Sequence, residues 1–178
     1  MARGRGTVIS VVEVLLALLF LSVGVAGRET EEQLQQRIKD EQNPVRKAKY
    51  EIKLANLELA QVHDEYTAGQ IEDGAKLLGT FVGEMKSAWK LLQGSGRKAS
   101  RQPDGFRELE ISLREDVRAL QDLARAVSYF DRDPLLNASQ QLEKMRFEVL
   151  DAQFPGGNPR TRKGSFPPEA GPGPADER

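Results

Sequence analysis

The sequence predicts an all-α protein, an antiparallel bundle of about four helices with a short N-terminal lead-in helix. Three observations predict it. Apolar residues beyond position 28 recur at steps of three and four over long segments, the spacing that stacks side chains on one side of a helix. Asn43-Pro44 and Asp133-Pro134 place a capping residue before a proline where two such segments begin. β-branched and aromatic residues do not gather into alternating runs between turn residues, so strand signals are weak.

The segment Pro44 to Tyr66 organises the rest. Val45, Ala48, Ile52, Ala55, Leu59, Val62 and Tyr66 form its main face, and Tyr50, Leu54 and Leu57 form a second stripe rotated well away from the first. One partner helix cannot cover both. The second stripe is therefore expected either to lie beneath the third and fourth helices of the same chain or to stay open as a docking surface. Tyr50, Leu54 and Leu57 are the candidate interaction residues. Upstream, residues 28–43 form an amphipathic lead-in rich in Glu, Gln, Lys and Arg. There Leu34 and Ile38 extend the central stripe, and Glu41 takes the next apolar place. An unbroken helix from Leu34 to Tyr66 would be about 48 Å long, so a bend at Pro44 is expected.

Gly69 supplies the left-handed turn that closes the central helix. The next helix carries Ile71, Ala75, Leu78, Val82, Met85, Trp89 and Leu92, widened by Leu77, Phe81, Ala88 and Leu91. Gly79, Gly83 and Ser87, one turn apart, read as a groove for close backbone packing. Gln93 to Pro103 is a locally basic loop, and Asp104 is the expected cap of a third helix with Phe106, Leu109, Leu113, Leu120, Leu123, Val127 and Phe130 inward. Asp116 interrupts that repeat, Val117 is placed to cover it, and Glu110 is expected to pair with Arg114 on the solvent side. The fourth helix turns Leu135, Ala138, Leu142, Met145 and Val149 inward and stops at Phe154-Pro155-Gly156-Gly157. The bundle thus spans 44–154. Residues 155–178 hold six of the nine prolines and five of the sixteen glycines without apolar periodicity, a composition expected to be disordered.

Residues 1–27 read as a signal peptide. Arg3 and Arg5 precede an apolar run from Val14 to Val25, and small residues follow at Gly24, Ala26 and Gly27, with cleavage expected after Ala26 or Gly27. The alternative is an uncleaved anchor over Val8 to Ala26, which would bury Glu13. That segment is the one route to a membrane. The destination is the secreted or periplasmic space, with a bacterial envelope favoured because the chain has no cysteine for disulfides.

The net charge of −1 gives no basic surplus for nucleic acid. His63 is the single histidine and no cysteine exists, so neither a thiol–histidine pair nor a histidine-rich metal site can be assembled. A di-iron site would need Glu three residues before His63, and Ala60 stands there. Haem held by His63 with Met85 or Met145 is set against the ordinary reading of those methionines as core filler. Asp116 and Glu41 read as satisfied polar contacts rather than catalytic acids.

The turn from Tyr66 to Ala75 resembles that of a tetratricopeptide repeat, but no second copy follows at a period of 34, so only a helical hairpin is inferred. The whole layout resembles exported helical proteins of bacteria, a resemblance that implies no residue roles. The functional expectation is a non-catalytic extracytoplasmic bundle, with no cofactor, that serves as a protein-interaction or structural module. The alternative is a carrier holding a small ligand or cofactor in the bundle interior.

Overall fold

A computed structural model of the chain describes residues 29–156. Residues 1–28, which hold the expected signal peptide, and the tail from Gly157 onward lie outside the described residues. The chain divides into residues 1–30 and Glu31–Arg178, and every helix named here belongs to the second unit. Five α-helices account for it: α1 (Glu31–Asp40), α2 (Pro44–Thr67), α3 (Ile71–Gly94), α4 (Phe106–Ala126) and α5 (Arg132–Gln153), with a 3-10 turn at Tyr129–Asp131. No strand occurs among the described residues.

The Asn43 side-chain oxygen accepts from the backbone N–H groups of Val45 and Arg46, at 3.0 and 3.2 Å, with Pro44 in the first turn where its missing donor is harmless. At the other end Gly69 adopts φ +78°, and the Gly69 and Gln70 N–H groups close back onto the Tyr66 and Glu65 carbonyls. That turn folds α3 back along α2. The α4 and α5 helices make a second hairpin, tied by the Arg146 guanidinium donating to Glu110 at 2.9 Å.

The hairpins stack so that α2 meets α4 and α3 meets α5. Lys49 reaches Asp104 at 2.7 Å and Glu108 at 2.9 Å, and seven residues on Asn56 meets Ser112, so α2 and α4 run the same way. Lys86 to Gln141 and the Trp89 indole N–H to Glu148 set the same direction for α3 and α5. Between the layers Phe81, Met85, Leu92, Leu109, Leu113, Leu120, Leu142 and Val149 are wholly buried. Trp89 also meets the Phe106 ring edge-on at 6.1 Å.

Several local expectations are corrected. The chain does not merely bend at Pro44: it reverses over Glu41 to Asn43, and α1 lies back along α2, with the Arg37 guanidinium 5.6 Å over the Tyr50 ring and Gln61 3.4 Å from Glu31. The cap of α4 is Gly105 rather than Asp104, whose carboxylate is occupied by Lys49. Glu110 pairs with Arg146 across the hairpin, not with Arg114 along its own helix. Because α4 ends at Ala126 and the Ser128 hydroxyl caps the following 3-10 turn, Phe130 is carried outward and is 89% exposed. The last helix starts at Arg132, which puts Asp133 inside its first turn rather than at its cap. Gly79 and Gly83 face open space, so no backbone of the described chain uses their small size.

Gly105 joins the layers through its backbone. Its φ is +85°, and a β-carbon there would sit 2.7 Å from Leu92 Cδ2 and 2.9 Å from Val45 Cγ1. Gly105→Ala combines backbone strain with a clash into core side chains, and a loss of roughly 2–4 kcal/mol is expected in urea unfolding. An unchanged unfolding midpoint would contradict this account of the loop.

Candidate functional site

Three neighbours surround α2, and each takes a different side. The main stripe faces the interior, α3 and α4 flank it, and α1 covers the far side where Tyr50, Leu54 and Leu57 lie. Leu54 is 3% exposed, while Tyr50 and Leu57 are half-buried. The third and fourth helices of the bundle do not cover these residues; the lead-in helix does. On α1 the buried residue is Leu34, at 1% exposure. Leu34 and Leu54 stand outside the contiguous core that joins the two hairpins. Two cations lie near the Tyr50 ring, Arg37 at 5.6 Å and Lys53 at 5.9 Å from its centre.

Between the α1 side and the α3 side of α2 runs a line of acids that the apolar reading of the helix passed over. Glu51 is 4% exposed and Glu58 5%, and one oxygen of each has no hydrogen-bond partner. Burial pushes the Glu58 carboxyl up to about 7, and the charges of Glu84 on α3 and Glu31 on α1 push it the same way. Glu51 is also raised by burial, with the Ser87 hydroxyl opposing and Glu84 reinforcing the shift. Glu84 itself is raised by burial. These acids converge where α1, α2 and α3 meet. Spacing held the one clue: Glu51, Glu58 and Glu65 recur at steps of seven, which keeps them in line on one helix.

The remaining candidates separate in space. His63 is on the outer face of α2, its side chain 63% exposed and 3.7 Å from Asp64, whereas Met85 and Met145 are buried in the core. No histidine–methionine pair is formed. Asp116 is 5% exposed with the Ser112 hydroxyl 3.1 Å away, and burial raises its carboxyl to about 7 against that hydrogen bond. It is a hydrogen-bonded acid inside the α4 interface. Glu41 is half-buried and accepts the Asn43 N–H at 2.8 Å, which steadies the reversal between α1 and α2. Among the described residues no group of three acids, histidines or cysteines could hold a metal ion, and no helix is long and apolar enough to cross a membrane.

The fold and this surface define a class of small all-helical proteins in which a peripheral helix covers an apolar stripe on a central one. Comparison with protein-family models, with curated proteins and with solved structures finds no match to this chain.

Proposed function

We propose that the protein is a non-catalytic extracytoplasmic helical-bundle module that binds another protein, with Tyr50, Leu54 and Leu57 as the interaction surface and α1 as its cover in the free chain. The carrying observation is the separateness of the α1 contact: Leu34 and Leu54 are buried outside the core that unites the two hairpins. A ten-residue helix is marginal by itself and is held by what it packs against. A cover whose buried residues lie outside that core can exchange for another helix while the hairpins stay folded. The signal-peptide reading of residues 1–27 supports an envelope or secreted location, as does the resemblance to exported helical proteins of bacteria. The carrier alternative gains nothing from the interior, which Phe81, Met85, Leu113 and Leu142 fill.

The test places a photo-crosslinking residue at Leu57, at the edge of the covered stripe, and another at Gly79 on the open face of α3. Both are compared in the wild-type background and with Leu34→Asp. Burying an aspartate in place of Leu34 should release α1 with only a small loss of circular dichroism, because the main core does not include that contact. A discrete adduct at Leu57 that grows several-fold with Leu34→Asp, without one at Gly79, is the expected result. No adduct in either background, under export in the native host, would end the interaction reading.

A further inference from the structure

We infer that the helix which displaces α1 is a basic amphipathic one, carrying Lys or Arg two turns apart to meet Glu58 and Glu51. The inference rests on the interaction reading above and names the chemistry of the partner. Two observations carry it. Glu51 Oε2 and Glu58 Oε2 are buried carboxylate oxygens without a hydrogen-bond partner, an arrangement that is costly unless a donor or a cation is supplied. At Glu58 the covering helix supplies the wrong charge, since Glu31 of α1 lies 3.4 Å from Gln61, one turn along α2 from Glu58, and repels that carboxylate.

The neighbours of the pair divide by charge, and the Ser87 hydroxyl of α3 moderates Glu51 alone. Glu84 comes from α3, Glu31 from α1, and Lys47 on α2 itself is the cation that moderates Glu51. Among the described residues the Glu31 carboxylate accepts from neutral amides, Gln35 at 3.0 Å and Gln61 of α2 at 3.4 Å, rather than from a cation. Glu51 and Glu58 are seven residues apart, about 10.5 Å along the axis, so one straight helix laid in the α1 position reaches both with side chains two turns apart. Apolar residues between those cations would replace Leu34 over Leu54. The free chain thus sets the acidic first turn of α1, with Glu31, against Glu58, on a surface complementary to a cationic helix.

The test reads the seam within the intact chain. Glu31→Lys puts a cation where the partner's would lie, even though a cation is disfavoured in the first turn of a helix. Hydrogen exchange of the α1 amides at pH 8 should slow by about tenfold relative to wild type. Glu32→Lys, with the same first-turn charge at an exposed position, should not slow them, and adding Glu58→Gln to Glu31→Lys should remove most of the gain. A second measurement uses the full chain with Leu34→Asp and two synthetic peptides of residues 29–42, one native and one carrying Glu31→Lys. The basic peptide should bind at least about tenfold tighter at pH 8. Unchanged or faster α1 exchange in Glu31→Lys, or equal affinity of the two peptides, overturns the inference. Success here combined with absence of a crosslinked adduct at Leu57 would retain the acidic seam and discard the natural partner, so the two failures are distinguishable.

Discussion

Unfolding free energy should fall by roughly 5 kcal/mol as pH rises from about 4 to 8, the reverse of what salt-bridged carboxylates produce. Two buried acids set the sign. Glu58 is raised from 4.5 to about 7 and Asp116 from 3.8 to about 7, both chiefly by burial. Each therefore binds its proton more tightly in the folded chain than in the unfolded one. Between the unfolded and folded pKa values the folded state holds more protons, so stability is fully present below about 4, declines toward pH 7 and levels off above it. At about 1.4 kcal/mol per tenfold in proton affinity, each acid contributes up to about 3–4 kcal/mol, with some of that lost to local relaxation. Glu51 and Glu84 are raised as well and push the same way. Asp104, lowered mainly by its hydrogen bond from Lys49, acts in the opposite sense only at the acid extreme and is well exposed. Urea denaturation at half-unit pH steps tests this, and the double variant Glu58→Gln with Asp116→Asn should flatten the curve while raising stability at pH 8. Stability that climbs from pH 5 to 8 would show that these carboxyls are ionised and paired in the folded chain.

The difference between what was legible in the sequence and what was not follows from which interactions have a period. The main stripe of α2, the inward residues of α5 and the Asn43-Pro44 start could be read because helical spacing and capping chemistry are local. The reversal of α1 was not, since Leu34 and Ile38 fit a continuing stripe, and Asn43-Pro44 marks a new helix start without fixing how far the chain turns there. What decides it is tertiary: Arg37 on Tyr50 and Leu34 buried outside the main core. Tyr50, Leu54 and Leu57 were legible as a stripe needing cover, but their cover was assigned to the wrong helices. The acidic seam stayed hidden because Glu on a helix reads as a solvated residue until the neighbouring helices are in place. Phe130 kept the three-and-four spacing past Ala126, where the helix ends and Ser128 caps a new 3-10 turn, so periodicity alone placed it inside.

The core and the α1 contact should also fail separately, which Phe81→Ala and Leu34→Ala can demonstrate together. Phe81 is wholly buried near the middle of α3, in the core shared by both hairpins. Truncating it removes a ring's worth of contacts and leaves a cavity, for an expected loss of about 3–5 kcal/mol. In a domain of roughly 5–15 kcal/mol total stability, that loss shifts the whole unfolding transition. Trp89 is a native reporter for it: the indole is 8% exposed, bonded to Glu148 of α5 and edge-on to Phe106 of α4, so its fluorescence follows the contact between hairpins. With Phe81→Ala the Trp89 signal and the circular dichroism should move to lower urea together. With Leu34→Ala the Trp89 transition should stay within about 0.5 kcal/mol of wild type, while a small early loss of helicity marks α1 coming away. A Trp89 transition that shifts as far for Leu34→Ala as for Phe81→Ala would mean that α1 is part of one cooperative core, and the stripe beneath it would then be an ordinary interior surface rather than a covered binding face.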